Sequence, residues 1–154
     1  MLILKKLLPI VLYGSFMITI NIDGACFGNP GPMGIGVVIR KDGKTILELS
    51  EFLGNGTNNI AEYTAAVRAL EETRKIIEKE GEKDEIILVR SDSQLLVNQL
   101  KGIYKVKAPH LKELNRKVVA LCMQLNVKFE HVPREENEWA DRLSKEAITN
   151  QSKA

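Results

Sequence analysis

The sequence predicts an α/β domain built on one mixed sheet with helices packed against it, and three observations carry that reading. Residues 17–52 hold three runs of strand-like periodicity separated by turn signals. From Asn58 the apolar spacing becomes helical. Two further apolar runs, 85–90 and 126–132, then alternate with helical stretches, so the order is βββ-α-β-α-α-β-α.

Residues 17–23 (MITINID) alternate apolar and polar side chains, the period of a half-buried strand. Gly24 and the Gly/Pro-dense CFGNPGPMGIG stretch are expected to end that strand in a turn. Residues 36–40 (GVVIR) read as a second short strand, Asp42-Gly43 as a hairpin turn, and residues 45–52 as its partner. Ile60, Ala61, Val67, Leu70, Ile76 and Ile77 recur at helical spacing until Gly81 provides a stop. The run Glu85–Arg90 is continuous enough for a strand buried on both faces. Residues 91–93 can cap a helix that ends at Gly102. Pro109 opens another, at a position where its missing N–H costs little. Asn126 to Val132 is the last strand, and a final helix begins at Asn137 and runs through Ala147.

With 154 residues the chain fits one domain, and its 44% hydrophobic and 27% charged composition is that of an ordinary globular protein. A net charge of +2 does not announce a nucleic-acid binder, because local clustering makes the electrostatic footprint. Cys26 and Cys122 lie far apart with no metal-site spacing, and read as reduced residues of a cytoplasmic protein. Residues 1–16 are charged and then apolar, but Pro9 and Gly14 interrupt a run shorter than the roughly 20 residues a membrane span needs. They are expected to be an extension, with no membrane role, ahead of a domain at 17–150.

Four acids fall at element ends or on otherwise apolar helix faces: Asp23, Glu62, Asp92 and Asp141. Taken singly, each has an ordinary structural role as a turn former or a partner of a helix dipole. If the strands ending at Asp23 and Asp92 are parallel neighbours, their C-terminal ends bring the two together, at the edge where open α/β sheets place ligand sites. Converging carboxylates repel and raise one another's pKa unless divalent cations neutralise them. Oxygen-only ligands select hard ions, so Mg²⁺ or Mn²⁺ is the expected occupant. Two such ions about 4 Å apart suit in-line phosphoryl displacement, the arrangement of a nuclease or polymerase.

The segments DGACFGNPGPMGIGVVIR, TNNIAEYTA, SDSQLLVNQL and ENEWADRLS occur in this order. Together they resemble the four motifs of type 1 ribonuclease H, over residues 17 to about 149. The resemblance implies a ribonuclease H-like fold, with a five-stranded mixed sheet, its second strand antiparallel, and helices on both faces. It implies endonucleolytic hydrolysis of the RNA strand of RNA–DNA hybrids, leaving 5′-phosphate and 3′-hydroxyl ends; separately, a monomer is expected. The family's metal-binding catalytic acids match Asp23, Glu62, Asp92 and Asp141. Its substrate-contacting residues match Asn29, Asn58, Asn59 and Gln94, and Thr57 falls where the family grips a DNA phosphate. Asn58 and Asn59 also suit capping of the helix that follows.

Two departures stand out. The basic helix and loop of bacterial members is replaced by GIYKVKAPH, with only Lys101, Lys105 and Lys107. The family histidine before the last acid is missing as well. His131 lies at the end of the last strand, and Arg134, as in an archaeal-like VPREEN variant, takes the nearer position. Arg stays protonated and cannot act as a base, but it can steady a phosphate. Two alternatives stay open: a nuclease of the same fold acting on double-stranded RNA or branched DNA, and a non-catalytic nucleic-acid-binding module.

Overall fold

The computed structural model describes residues 18–81 and 85–153. The expected extension and Met17 lie outside the described residues. An antiparallel meander of β1 (Ile18–Cys26), β2 (Gly31–Lys41) and β3 (Lys44–Gly56) leads into α1 (Asn58–Glu80). Then come β4 (Ile86–Ser91), α2 (Gln94–Leu100), α3 (Pro109–Cys122), β5 (Asn126–His131), a 3-10 turn at Arg134–Glu136 and α4 (Glu138–Lys153). The strand order is β3-β2-β1-β4-β5, with β4 parallel to both β1 and β5. This is the five-stranded mixed sheet the resemblance implies, with strand 2 antiparallel.

The opening strands are longer than expected. β1 continues past Asp23 to Cys26, and β2 begins at Gly31 rather than Gly36, so most of the glycine-rich stretch is sheet. Gly24, Gly34 and Gly36 are sites of close helix approach, one of the uses of Gly within a strand. A Cβ on Gly24 would run into the α1 backbone at Ala61 and Glu62. One on Gly34 or Gly36 would meet α4 backbone at Ser144 and Ala140. β3 likewise extends to Gly56.

The alternation of β1 sorts its side chains between two helical layers. Ile18, Ile20 and Ile22 are fully buried in the main core with Ala65, Ala66, Ala69 and Leu70 of α1. α3 packs behind α1, and Leu111, Val118 and Leu121 extend the same core. Asn21 and Asp23 point the other way, to the face covered by α4. α4 packs on β1, β2 and β3. The expectation that 85–90 is buried on both faces is therefore corrected: Ile87 and Val89 are buried, whereas Ile86, Leu88 and Arg90 are half-buried. On its second side β4 carries Arg90, paired with Glu130 and Glu136 at 3.3 and 2.9 Å.

Helix ends follow their local chemistry. Thr57, not Asn58 or Asn59, caps α1, its Oγ1 accepting from Ile60 N. Thr57 has the extended backbone a cap needs, while both asparagines are already helical. Gly81 closes α1 in the left-handed conformation. Ser93 caps α2, and Pro109 sits in the first turn of α3. α4 runs beyond Ala147 to Lys153.

Candidate active site

The parallel pairing of β1 with β4 places their C-terminal ends side by side, with Asn21 opposite Arg90. Asp23 lies two residues further along β1, and Asp92 just beyond the end of β4. Glu62, one turn into α1, reaches the same edge because Gly24 lets the helix backbone rest on the strand. Carboxylate oxygens of Asp23, Glu62 and Asp92 lie within 4.8 Å of one another. They share an open cleft of about 410 Å³ with Asn58, Ser93, Arg134, Asp141 and Lys145.

Such a cluster is costly for its own carboxylates. Burial, opposed by the Ser144 hydrogen bond and reinforced by Asp92 and Asp141, pushes the Asp23 carboxyl up to about 7. Glu62 is held well above the usual range by burial first, then by the charges of Asp23 and Asp92. Its Oε2 is closed off from solvent and has no hydrogen-bond partner. A buried polar atom with no partner calls for an explanation, and a cluster of carboxylate oxygens is a donor set suited to a cation.

Asp141 stands slightly apart. It lines the cleft but lies outside the group of three, and Lys145 Nζ, one turn on, is 3.0 Å from its Oδ2. Ser144 Oγ is 2.6 Å from Asp23 Oδ2 and 2.7 Å from the Asp141 carbonyl oxygen. Ser144 and Lys145 were not singled out by sequence. Their spacings of three and four from Asp141 put them on its helical face, but only the orientation of α4 says what that face meets.

A family model described as reverse transcriptase-like matches residues 21–147. A ribonuclease H of Geotalea uraniireducens is 35% identical over 141 residues, covering 82% of this chain and 90% of that protein. The crystal structure of LC11 ribonuclease H1 in complex with an RNA/DNA hybrid superposes with a TM-score of 0.82 at 45% identity, covering 87% of this chain and 98% of that one. The chain belongs to the type 1 ribonuclease H family. A bifunctional protein of Mycobacterium tuberculosis is 38% identical over 134 residues. That match covers 85% of this chain but only 35% of the relative, so the chain spans about a third of its length.

Against the ribonuclease H pattern, the expected substrate residues divide. Asn58 lines the cleft. Asn29, in the exposed turn between β1 and β2, accepts from Asn58 N through its Oδ1 at 3.1 Å and so ties that turn to the start of α1. Thr57 is engaged as the α1 cap. Asn59 and Gln94 are exposed at the first turns of α1 and α2, outside the cleft lining. Arg134 is 86% exposed, with Nε 4.0 Å from Asp92 Oδ2. His131 Nε2 lies 3.3 Å from the Asp92 carbonyl oxygen, so its ring rests on the backbone of an acid rather than on a carboxylate. His110 is exposed in the first turn of α3. Lys101, Lys105 and Lys107 are exposed on the connection from α2 to α3, which carries no helix of its own.

Proposed function

We propose that the chain is an endonuclease that hydrolyses the RNA strand of RNA–DNA hybrids, leaving 5′-phosphate and 3′-hydroxyl ends. The observation that carries the proposal is the approach of the Asp23, Glu62 and Asp92 oxygens within 4.8 Å, with Glu62 Oε2 buried and unpartnered. These donors fit hard divalent cations: all are carboxylate oxygens, and burial and mutual repulsion raise the pKa of Asp23 and Glu62 despite Arg134 and Lys145 nearby. Asp23, Glu62, Asp92 and Asp141 would hold two Mg²⁺ ions, with Mn²⁺ as a substitute. Bound there, the ions would lower the pKa of an attacking water and offset charge on the leaving oxygen of the phosphodiester.

The chain's own groups do the rest. Asp23 and Glu62, costly to ionise where they stand, give a cation a strong electrostatic reason to bind. Lys145 donates to Asp141 Oδ2 at 3.0 Å and so helps orient that acid within the cleft. Arg134, long and exposed beside Asp92, steadies the phosphate or the departing product and takes no proton. Asn29, Asn58, Asn59 and Gln94 form a polar margin suited to the 2′-hydroxyls that only RNA carries, and Thr57 lies where a DNA phosphate would pass. With only three lysines between α2 and α3, hybrid affinity should be modest and strongly salt-dependent. Hybrid specificity is supported by the family and by the hybrid seated on the LC11 enzyme.

The working unit is read as a monomeric domain of residues 17–150 in the cytoplasm. Among the described residues no helix is long and apolar enough to cross a membrane. A chain starting at Met17 should cut as the full chain does. The deciding experiment incubates labelled RNA–DNA, RNA–RNA and DNA–DNA duplexes with the protein in Mg²⁺ or Mn²⁺. Cleavage confined to the RNA strand of the hybrid is expected. Cleavage of the RNA–RNA duplex alone would replace the reading with a double-stranded RNA nuclease, and no cleavage of any duplex would leave only a binding module.

A further inference from the structure

Ser144 is fully buried on α4, where its backbone meets the sheet and its hydroxyl meets the acid cluster. Its backbone sits against β2 because Gly34 and Gly36 have no side chain; a Cβ on either would collide with backbone atoms at Ser144 or Ala140. That contact brings the hydroxyl to 2.6 Å from Asp23 Oδ2, a distance in the range of a charge-assisted O–H···O⁻ bond. The ordinary use of a serine hydroxyl within a helix is to donate back to a carbonyl of the preceding turn, and the Asp141 carbonyl oxygen is within reach at 2.7 Å. With one proton and two acceptors, an ionised Asp23 is the stronger claimant.

We infer that Ser144 is a positioning residue for metal binding: its hydroxyl pins one oxygen of Asp23 from the α4 side and so sets the plane in which that carboxylate faces Glu62 and Asp92. This rests on the reading of the three acids as a cation site. Asp23 is 5% exposed on the α4 face of β1, so little solvent is available to orient it. The same hydroxyl touches the backbone of Asp141, which links the acid set apart from the cluster to the acid at its centre. Carboxylate ligands are commonly held by such outer hydrogen bonds, and losing one typically costs about 10- to 100-fold in metal affinity.

The test is calorimetric titration of Mn²⁺ into the metal-free full chain and its variants, with thermal melting to verify folding. The wild-type chain should bind and Asp23→Asn should not. Ser144→Ala should bind about ten-fold more weakly or worse. Ser144→Cys, nearly the same size but a weak donor, should fall between. The Mn²⁺ concentration for half-maximal hybrid cleavage should rise in the same order, while KM for the hybrid at saturating metal stays put. Wild-type affinity in a folded Ser144→Ala would overturn the inference and leave the cation site standing. If Ser144→Ala does not fold, wild-type affinity in Ser144→Cys overturns it equally. A wild-type chain that takes up no Mn²⁺ would instead overturn the cation site itself, and the inference with it.

Discussion

The two faces of β1 share one backbone and do opposite work. Toward α1 the strand presents Ile18, Ile20 and Ile22, all fully buried in a continuous apolar core. Toward α4 it presents Asn21 and Asp23, equally hidden from solvent but polar. Asn21 donates to Asn137 Oδ1 at 3.0 Å, and Asn137 donates to the Ile22 carbonyl oxygen at 2.9 Å. The Asn21 carboxamide also donates to the Glu136 carbonyl oxygen at 3.1 Å, so this network anchors the turn that carries Arg134. One face supplies stability by excluding water. The other spends some of it on polar groups that must be held in fixed positions, as sites of function usually require.

The comparison breaks most sharply at Asp23 and Asp92. Asp23→Asn or Asp92→Asn should lower hybrid cleavage by roughly a thousand-fold or more, the rate equivalent of the several kcal/mol a bound cation supplies. Melting temperature should hold or rise in metal-free buffer, because each change removes a charge from a repelling cluster. Near-wild-type turnover in Mg²⁺ would falsify the assignment of these acids. On the opposite face, Ile20→Ala should cost about 2–5 kcal/mol in denaturant unfolding. Its activity at low temperature should be largely kept, and a dead but stable variant would show that the two faces are not separable.

A pH series sharpens the same contrast. The Asp23 carboxyl is raised from 3.8 to about 7, so between these values the folded state binds more protons than the unfolded one. The contribution of Asp23 to the stability of the metal-free chain should therefore fall as pH rises from about 4 to about 7. Glu62 acts in the same direction. Thermal melts in chelator should show this slope, saturating Mg²⁺ should flatten it, and a flat metal-free profile would count against the strained cluster. The smallest effect is expected at Arg134, which is almost fully exposed. Arg134→Ala should reduce turnover about two- to five-fold, in keeping with the modest worth of exposed charge contacts. Unchanged steady-state kinetics would remove it from the mechanism.

Much of this was legible in the chain itself because it depends on local rules. Period-two alternation in residues 18–23, the Asp42-Gly43 turn and the Gly81 stop each act within a few residues, and each falls where expected. The strand ends did not. Glycines read locally as turn formers are strand residues here, and α4, more than a hundred residues away, rests on Gly34 and Gly36. The α1 cap moved from Asn58 to Thr57, since backbone conformation, not side-chain type alone, decides which polar residue caps. β4 proved one-sided because α4 stops at β1, a fact of helix placement that no apolar run announces.

The acids divide along the same line. The motifs, by their order and context, mark out four carboxylates as candidates, and periodicity implies the layered architecture. Only the tertiary structure decided that Asp23, Glu62 and Asp92 form the tight group while Asp141 stands off beside Lys145. It alone showed Ser144 donating to Asp23 across 121 positions of chain. The physical reason is range: propensity and periodicity act over a few residues, whereas repulsion, burial and hydrogen bonding between carboxylates depend on ångström distances set by how whole elements pack.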